Sequence, residues 1–424
     1  MRVLVIGSGG REHALAVRAA AEPDVETLLA APGNPGIAGY ARTVPIDPAD
    51  LDAVAALAAR ERIDLTIVGP ELPLSRGLAD RFATEGRLLF GPTAAAARLE
   101  SSKAFAKDFM ARHRVPTARF RVCRDADAAL AAIRRGEFGL PVVVKADGLA
   151  AGKGVVIAET RGEAEAAIAD AMRDRKFGSA GDCIVLEECL QGPEVSFFAV
   201  CDGARAVPLG TAQDHKRIFD EDRGPNTGGM GAFAPSPLVD AALQRRIMRE
   251  IVDPVVAGMA AEGCPFRGFL YAGLMLTADG PNVIEFNVRL GDPEAQVVLP
   301  LVAEPLLPIL AEAAGGELRR STIALGSDRL VGVVVASRGY PESSESGQVI
   351  AGIEAAGAVP GVTVYQAGTA LRDGRLVTAG GRVLTVVGRG ADYAEAIARA
   401  YAGLLQISFD GMQFRRDIGT KALR

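Results

Sequence analysis

Three polar residues share one face of a strand in the stretch VIEFNVRLGDPE. Glu285, Asn287 and Arg289 are spaced two apart, and side chains with this spacing on a strand point to the same side. A carboxylate and an amide oxygen suit Mg²⁺, which takes oxygen ligands and shares them with nucleotide phosphates. The neighbouring arginine can clamp a carboxylate or a phosphate with its planar fork. The stretch therefore predicts a metal and anion site, against the simpler interpretation of a solvent-facing polar stripe.

A second polar stretch, QDHKRIFDEDRGPNTGGMGAF, follows a strand and is longer than an ordinary connection. Asp214, His215 and Lys216 come directly off that strand, and Gly229 and Met230 lie near the end of the stretch. Loops this long inside a compact domain are usually functional or disordered. We interpret this one as part of the site, although a merely solvated surface loop is the alternative.

The stretch KADGLAAGKGVVIA, from Lys145 to Ala158, places glycines around a lysine. It fails the P-loop pattern G-x-x-x-x-G-K-[ST], because Asp147 and Gly154 stand where that pattern needs a glycine and a hydroxyl. The flanking runs are rich in β-branched residues, so the loop joins two strands and does not feed a helix. Such a hairpin can close over phosphates with its backbone N–H groups, whereas an ordinary long-tipped hairpin is the plainer alternative.

Two lysines are placed to meet a phosphate beside this hairpin. Lys145 ends the strand before the loop, and Lys103 begins the helix before the whole unit. Lys153, at the tip of the loop, is interpreted as a solvated side chain. Exposed lysines are common, so the pair is meaningful only together with the other stretches.

The first hundred residues supply the elements that must position such a site. Short apolar runs alternate with helix-like segments, which is typical of a parallel, doubly wound sheet. Ligands bind at the carboxyl ends of such strands, where the stretches GSGG, PGNPG and GPE fall. Longer, antiparallel strands follow after about residue 191. We predict units at 1–102, 103–327 and 328–424, with a lid subdomain at about 122–190.

Composition excludes several classes of protein. The 424 residues carry a formal net charge of −5, which gives no reason to expect a nucleic-acid or membrane partner. The five cysteines form no CxxC pair and are interpreted as free thiols. Neither a signal peptide nor an uncharged apolar run of membrane length is visible, so we expect a soluble cytoplasmic protein.

Together these stretches resemble a known family. GSGGREHA, PGNPG, GPE, KADGLAAGKGV, QDHKR, GPNTGGMGA and RLGDPE are similar to the phosphoribosylamine–glycine ligases, which are ATP-grasp enzymes of purine biosynthesis. The resemblance runs from residue 1 into the last hundred residues, and Leu290 stands where the family often has Phe. It implies an α/β and α+β multidomain protein with an N-terminal doubly wound parallel sheet. After this sheet, the resemblance implies a central ATP-grasp fold of two α+β subdomains and then a small C-terminal β-rich domain.

The resemblance also implies a reaction. ATP would phosphorylate glycine to glycyl phosphate, and the amine of 5-phosphoribosylamine would attack it, giving glycinamide ribonucleotide, ADP and phosphate. Mg²⁺ or Mn²⁺ would assist, and a monomer or weak dimer is expected. Positioning and charge stabilisation would do most of the catalysis, since no nucleophilic side chain is required.

Roles for individual residues follow from the same resemblance. Glu285 and Asn287 would hold the metal, whereas Lys145, Asp214 and Arg289 would be catalytic, Asp214 facing the ammonium and Arg289 the carboxylate of glycine. Glu187 would meet the adenine and Glu194 the ribose. The remaining residues implied in ATP binding are Lys103, Gly152, Gly154 and Lys216, and those implied in substrate binding are Gly9, Gly10, Arg11, Glu12, Asn34, Gly229 and Met230.

Three alternatives stay open from the sequence. Another ATP-grasp ligase or carboxylase would have a similar sheet and lid, although GPNTGGMGA and RLGDPE argue against it. A dinucleotide-dependent oxidoreductase is suggested by GSGG after the first strand, but Glu12 stands where G-x-G-x-x-G needs its third glycine. A non-catalytic nucleotide-binding module would not need the Glu285–Asn287 pair.

Overall fold

The N-terminal unit is a five-stranded parallel sheet wrapped by helices. The computed structural model describes residues 1–148 and 154–423. The strand order is β3-β2-β1-β4-β5, and every pairing is parallel. The central strand is buried on both faces, as its unbroken apolar run predicts. The elements of this unit are β1 (Arg2–Gly7), α1 (Gly10–Ala20), β2 (Thr27–Pro32), β3 (Arg42–Thr43), α2 (Leu51–Arg60), β4 (Leu65–Val68), α3 (Glu71–Ser75), α4 (Leu78–Thr84), β5 (Leu89–Phe90) and α5 (Ala94–Ser101).

A smaller unit, here called the lid unit, follows the next helix. Its four antiparallel strands have the order β6-β9-β7-β8. Strands β7 and β8 pair directly, with Lys145 opposite Val155, so strands flank the glycine loop as predicted. Within that loop, residues 149–153 lie outside the described residues. The helix before the lid unit is α6 (Lys103–Arg112). The elements of the lid unit are β6 (Phe120–Cys123), α7 (Ala126–Arg134), β7 (Val142–Ala146), β8 (Val155–Ala158), α8 (Arg161–Ile168) and β9 (Ile184–Glu188).

The central unit carries the strands on which most of the predicted site residues lie. It contributes an antiparallel sheet with β10 between β15 and β11, and β12 and β13 form a separate hairpin. The elements are β10 (Glu194–Asp202), β11 (Ala206–Asp214), β12 (Arg217–Phe219), β13 (Arg223–Asn226), β14 (Gly231–Ala234), α9 (Ala241–Ile247), α10 (Asp253–Ala261), β15 (Arg267–Thr277), β16 (Gly280–Asn287), α11 (Ala295–Val298) and α12 (Leu307–Gly315).

The C-terminal unit continues the central sheet instead of forming a separate layer. Strand β14 pairs with β11 on one side and with β17 on the other, which gives eight strands in the order β16-β15-β10-β11-β14-β17-β21-β18. The predicted fold class is confirmed, but this continuity was not predicted. The elements are β17 (Arg329–Ala336), α13 (Ile353–Gly357), β18 (Val362–Gln366), β19 (Thr369–Arg372), β20 (Arg375–Thr378), β21 (Arg382–Gly390) and α14 (Tyr393–Leu404).

Local sequence accounts for where many of these helices begin. Seven of the described helices start after a Ser, Thr or Asp whose side-chain oxygen accepts a hydrogen bond from the backbone N–H three residues later. Each cap contributes about 1 kcal/mol. None of the helices in the described part of the chain is long and apolar enough to cross a membrane. The capping residues are Asp50, Thr93, Ser102, Asp125, Thr160, Asp240 and Asp392.

Candidate active site

A cleft of about 770 Å³ lies where the four units meet. Strands β7 and β9 of the lid unit form one wall, and strands β11 and β16 of the central sheet form another. The N-terminal unit contributes Arg11 and Glu71, while the C-terminal unit contributes the segment 340–344 and Arg382. Fifteen of the lining residues carry charged side chains, so the cleft suits a strongly charged ligand.

Two buried lysines share one carboxylate in the wall formed by the lid unit. Lys145 Nζ donates to Glu187 Oε2 at 3.0 Å, and Lys107 Nζ lies 2.8 Å from the same oxygen. Lys107 also donates to Thr117 Oγ1 at 2.7 Å, and burial lowers the pKa of its ammonium to about 8. A buried charge needs such partners. Lys145 therefore stands in the cleft with its position fixed. Glu187 also lines the cleft, and its predicted contact with the adenine stays a prediction.

Lys103 joins the base of the lid unit to helix α6. Its Nζ donates to the carbonyl of Gly148 at 2.9 Å, and burial lowers its pKa. Asp147 reinforces this contact, because it accepts from Ala104 N at 3.1 Å and from Ser102 Oγ at 3.2 Å. The start of α6 and the start of the glycine loop are thus held together at the cleft.

Strand β16 presents Glu285 and Asn287 to the cleft, as their spacing predicts. Burial works against the charge of Glu285, but the cations Lys216, Lys145 and Lys103 hold its pKa below the usual value. The carboxylate is therefore ionised at neutral pH. It lies among positive charges that would also attract a polyphosphate.

This pair of oxygen donors fits a hard divalent cation. Among residues 1–148 and 154–423, no group of three or more His, Cys, Asp or Glu side chains is arranged to hold a metal ion. Mg²⁺ usually takes only one or two carboxylates and completes its shell with water and substrate phosphates. An ionised Glu285 beside the amide oxygen of Asn287 matches that requirement, so the metal would arrive with the nucleotide.

Arg289 is already engaged by two carboxylates. Its Nε donates to Glu71 at 2.8 Å, and its Nη2 lies 2.7 Å from Glu100. Although burial opposes the charge, Glu100 and Glu71 raise the pKa of this guanidinium. A further bond from Nη1 reaches the carbonyl of Leu290 at 3.1 Å. The guanidinium predicted to clamp the carboxylate of glycine is therefore already bonded through Nε, Nη1 and Nη2, and two of these contacts join the N-terminal unit to the end of β16.

The end of strand β11 brings Asp214 and Lys216 into the cleft. Burial raises the pKa of Asp214 to about 7, with Lys216 acting in the opposite direction and Glu294 adding to the rise. Lys216 donates to Glu194 Oε2 at 2.6 Å. Asp214 is consequently poised between its charged and neutral forms near neutrality, and a bound ammonium group would favour the charged form.

The turn after strand β1 is held mainly by its own contacts. Gly9 precedes α1 and its N–H donates to Glu12, whose carboxylate also accepts from Arg11 Nε at 2.6 Å. Arg11 faces the cleft and donates to the carbonyl of Leu290 at 3.1 Å. A side chain at Gly10 would approach the Gln296 amide to 2.5 Å. Of the four predicted residues in this turn, Arg11 is the one that lines the cleft.

Asn34 is used inside the protein. Its Nδ2 donates to the carbonyls of Ser8 and Gln366, both at 2.8 Å, and its Oδ1 accepts from Ile37 N at 2.9 Å. These bonds tie the turn after β2 to strand β18. The structure therefore gives the side chain an architectural role, and its predicted contact with phosphoribosylamine stays a prediction.

Gly229 and Met230 lie beside the cleft without lining it. Met230 is fully buried, and its N–H donates to the carbonyl of His215 at 2.8 Å. Gly229 has φ +109°, and a side chain there would meet Pro293 at 2.6 Å. The residues of this loop that line the cleft are the preceding Thr227 and Gly228, and the substrate contacts of Gly229 and Met230 stay predictions.

Several lining residues were missed by the sequence analysis. Lys107 lies in the middle of a helix and gave no signal beyond its charge. Tyr340 and Arg382 lie on the C-terminal unit, where Tyr340 accepts from Gly228 N at 2.9 Å and Arg382 lies 3.5 Å from Asp292. Only the pairing of β14 with β17 brings these residues to the cleft. Gly154 lines it as predicted, and Gly152 lies outside the described residues.

Three consecutive stretches of the chain match the domains of one family of proteins. Residues 1–100, 101–295 and 330–421 match the N domain, the ATP-grasp (A) domain and the C domain of phosphoribosylglycinamide synthetase. This chain belongs to the phosphoribosylglycinamide synthetase family. Its ATP-grasp fold and its predicted class, an ATP-grasp carbon–nitrogen ligase, are thereby confirmed. The sequence identity to curated relatives supports the same assignment.

Relatives of this family resemble the chain over its full length. The phosphoribosylamine–glycine ligase of Xylella fastidiosa is 51% identical and covers 100% of this chain and 98% of its own length. That of Mesorhizobium japonicum is 50% identical, with 100% and 99% covered. The crystal structure of phosphoribosylamine–glycine ligase from Thermotoga maritima has a TM-score of 0.85 at 34% identity, covering 98% of this chain and 100% of that one.

Solved structures of lower sequence identity share the fold alone. Biotin carboxylase from Campylobacter jejuni has a TM-score of 0.75 at 18% identity and covers 99% of this chain and 94% of its own. The shared architecture accounts for the carboxylase alternative left open by the sequence. The family models and the close relatives favour the ligase over that alternative and over the oxidoreductase.

Proposed function

We propose that this chain joins glycine to 5-phosphoribosylamine at the expense of ATP, giving glycinamide ribonucleotide, ADP and phosphate in purine biosynthesis. Its membership of the phosphoribosylglycinamide synthetase family is the observation that carries this function. The cleft supports it with fixed cations beside an ionised carboxylate, which is what transfer of a phosphoryl group requires.

The first half-reaction makes the glycine carboxylate reactive. A carboxylate oxygen of glycine attacks the γ-phosphorus of ATP, and the bond to the β–γ bridging oxygen breaks, releasing ADP. Lys145 and Lys103 stand where the phosphates would lie, and their charges would stabilise the transferred group. A divalent cation held by Glu285 and Asn287 would supply further charge neutralisation on the phosphate oxygens, and we propose Mg²⁺ or Mn²⁺.

The second half-reaction forms the amide. The amine of phosphoribosylamine attacks the acyl carbon of glycyl phosphate, the carbon–oxygen bond to phosphate breaks, and the amine loses a proton. Asp214 would bind the ammonium group of glycine, and this bound cation would favour the charged form of its carboxylate. The lid unit would close over the cleft and keep water from the acyl phosphate.

Phosphoribosylamine would enter from the side of the N-terminal unit. Arg11 and Arg382 approach the cleft there from two different units. The backbone N–H of Arg11 donates to Asp292 Oδ2 at 3.3 Å, and the guanidinium of Arg382 lies 3.5 Å from Asp292 Oδ1. Two guanidinium groups would suit a phosphate ester, and we propose this pair for the substrate phosphate, whereas the contact of Asn34 stays a prediction.

The remaining roles stay predictions. ATP contacts are proposed for Lys103, Lys216, Glu194 and the glycines of the lid loop, with the backbone of β9 beside the adenine. A cytoplasmic location and a monomeric or weakly dimeric state also stay predictions.

Release of ADP tests the proposed function directly. The purified protein is mixed with ATP, a divalent cation, glycine and freshly generated phosphoribosylamine, and glycine and phosphoribosylamine are then omitted in turn. We expect ADP release to require glycine and to reach its full rate only with both substrates. Release that is indifferent to glycine would overturn the proposal, and consumption of NAD(P)H would favour the oxidoreductase.

A further inference from the structure

The C-terminal segment 415–421 packs against the β12–β13 hairpin through a buried arginine. The side chain of Arg415 is 0% exposed. It donates to Asp222 Oδ1 at 2.8 Å and forms a two-pronged pair with Asp417, at 2.8 Å and 2.6 Å. Lys421 completes the cluster from the rim, with its Nζ 2.6 Å from Asp222. This charge cluster lies outside the cleft, and the reaction has no direct use for it.

The same cluster holds the backbone of the hairpin. Arg415 Nη1 donates to the carbonyl of Arg217 at 3.1 Å, and Asp417 accepts from Glu221 N at 2.9 Å. Glu221 and Asp222 both have positive φ, 61° and 54°, a conformation that side chains other than glycine rarely adopt. The turn therefore keeps its shape because the C-terminal segment fixes it.

The hairpin begins at the residue that follows the cleft lysine. Asp214 and Lys216 line the cleft, whereas His215 between them is 1% exposed and buried on the opposite side, as the alternation of an extended chain requires. The carbonyl of Lys216 accepts from Thr227 N at 2.7 Å and from Thr227 Oγ1 at 2.8 Å, which closes the base of the hairpin. The next carbonyl, that of Arg217, is the one bound by Arg415.

On the far side of this segment, the backbone of His215 is paired with the start of β14: its N–H donates to the Gly231 carbonyl at 2.9 Å, and its carbonyl accepts from Met230 N at 2.8 Å. Both ring nitrogens of His215 lack a hydrogen-bond partner among the described residues, and its ring packs on Phe233 with a centroid distance of 5.9 Å. Strand pairing therefore fixes the chain up to His215, and the bonds of Thr227 and Arg415 to the next two carbonyls fix the chain from Lys216 into the hairpin.

We propose that Arg415 is a positioning residue for Asp214 and Lys216, which it fixes through the carbonyl of Arg217 and the β12–β13 turn. The inference rests on the proposed function of the cleft. A buried guanidinium with all its partners in place is rigid, because moving it would leave buried charges unpaired. Misplacing a substrate-orienting group by about 1 Å can cost about 100-fold in rate.

Steady-state kinetics of Arg415→Lys and Arg415→Met test the proposal. Lysine keeps the charge but cannot make the two-pronged pair with Asp417 while also reaching Arg217. Because Asp214 and Lys216 are proposed to act on glycine and the nucleotide, we expect KM for glycine to rise by about tenfold or more, in line with the cost of misplacement. The KM for phosphoribosylamine, which is proposed to bind at Arg11 and Arg382, stays within about twofold of the wild-type value.

Two further variants keep the test decisive if Arg415→Met fails to fold. Asp222→Asn and Lys421→Met loosen the cluster from its partly exposed rim and leave Arg415 in place. Each should raise KM for glycine in the same direction, by a smaller factor. Combined with Arg415→Lys, Asp222→Asn should be less than additive, since both act through one cluster.

Arg399→Met is the matched control. Arg399 also lies in the C-terminal unit and pairs with Glu395 on the surface, away from the hairpin. It should leave all three KM values unchanged. Folded cluster variants with an unchanged KM for glycine, or with equal losses for all three substrates, would overturn the inference. Wild-type protein that releases ADP without needing glycine would instead overturn the proposed function, so the two failures are distinguishable.

Discussion

At the scale of single residues, the charged side chains of the cleft divide into those that are fixed and those that are free to act. Glu187, Glu71 and Glu100 are each paired with a cation, and these pairs hold Lys145 and Arg289 in place. Asp214 and Glu285 face the cleft among cations. Such a division is expected where electrostatic preorganisation supplies the catalysis.

Glu285→Gln should abolish turnover that depends on the divalent cation. The amide keeps the size of the side chain but removes the charged oxygen donor, and loss of a metal-site group lowers metal affinity or activity by about 100-fold. The rate of ADP release is titrated with Mg²⁺ for the variant and for Glu354→Gln, an exposed control. Wild-type turnover by the folded Glu285 variant would refute the metal assignment.

The two buried histidines should make stability fall in mild acid. Burial lowers the pKa of His13 and of His215 to about 4 from an ordinary value of 6.5. Between these values the unfolded chain binds more protons than the folded one, so the free energy of unfolding decreases as the pH falls from about 6.5 to about 4, by about 3 kcal/mol for each histidine.

Urea unfolding at several pH values measures this effect. His13→Gln and His215→Gln should each make the free energy of unfolding decrease less between about pH 6.5 and about pH 4, because glutamine does not titrate. His113→Gln is the control, since His113 lies nearer the surface beside Glu262. Parallel pH dependences for the wild type and both buried-site variants would contradict the prediction.

At the scale of elements, the lid unit is tied to the cleft by one aspartate that caps a helix from another element. Asp147 lies just after β7, yet it accepts from Ala104 N in the first turn of α6. Asp125 caps α7 within the lid unit itself. Both aspartates accept from the first turn of a helix, but only Asp147 links the glycine loop to α6 beside Lys103.

Asp147→Ala and Asp125→Ala separate stability from catalysis. Each should lower the free energy of unfolding by about 1 kcal/mol, the usual contribution of a cap. Only Asp147→Ala should also raise KM for ATP, by about tenfold, because it releases the base of the lid loop beside Lys103. Thermal unfolding and initial rates at varied ATP check both effects, and equal kinetics for the two variants would refute the role of Asp147.

At the scale of the whole molecule, the eight-stranded sheet makes the central and C-terminal units one structure. Strand β17 covers the edge of β14, and its apolar residues Val331 and Val333 are fully buried. The C-terminal unit also supplies Tyr340 and Arg382 to the cleft. The strands before and after the predicted boundary near residue 328 therefore belong to one continuous sheet.

Truncation after residue 327 should yield a chain that self-associates more than the full chain does. It would expose an unpaired strand edge and the apolar surface packed beneath it, and such edges pair with other chains. Size-exclusion chromatography and circular dichroism of residues 1–327 are compared with the full chain. A monodisperse, folded 1–327 fragment would show that the C-terminal unit is dispensable for the fold.

Taken alone, the sequence determined the order of the units, the strands on both sides of the glycine loop and the shared face of Glu285 and Asn287. These features depend on local periodicity, turn residues and motifs, which act over a few residues along the chain. It also determined the family, because the motifs that carry the resemblance are contiguous stretches.

Only the tertiary structure decided which charged side chains are engaged and which are free. Arg289 meets Glu71 across 218 positions, and Arg415 reaches Arg217 across 198. No local pattern encodes such pairs, because the partners approach only when separate elements pack and burial makes pairing obligatory. For the same reason, the sequence alone did not reveal the internal contacts of Asn34 and Met230 with distant parts of the chain.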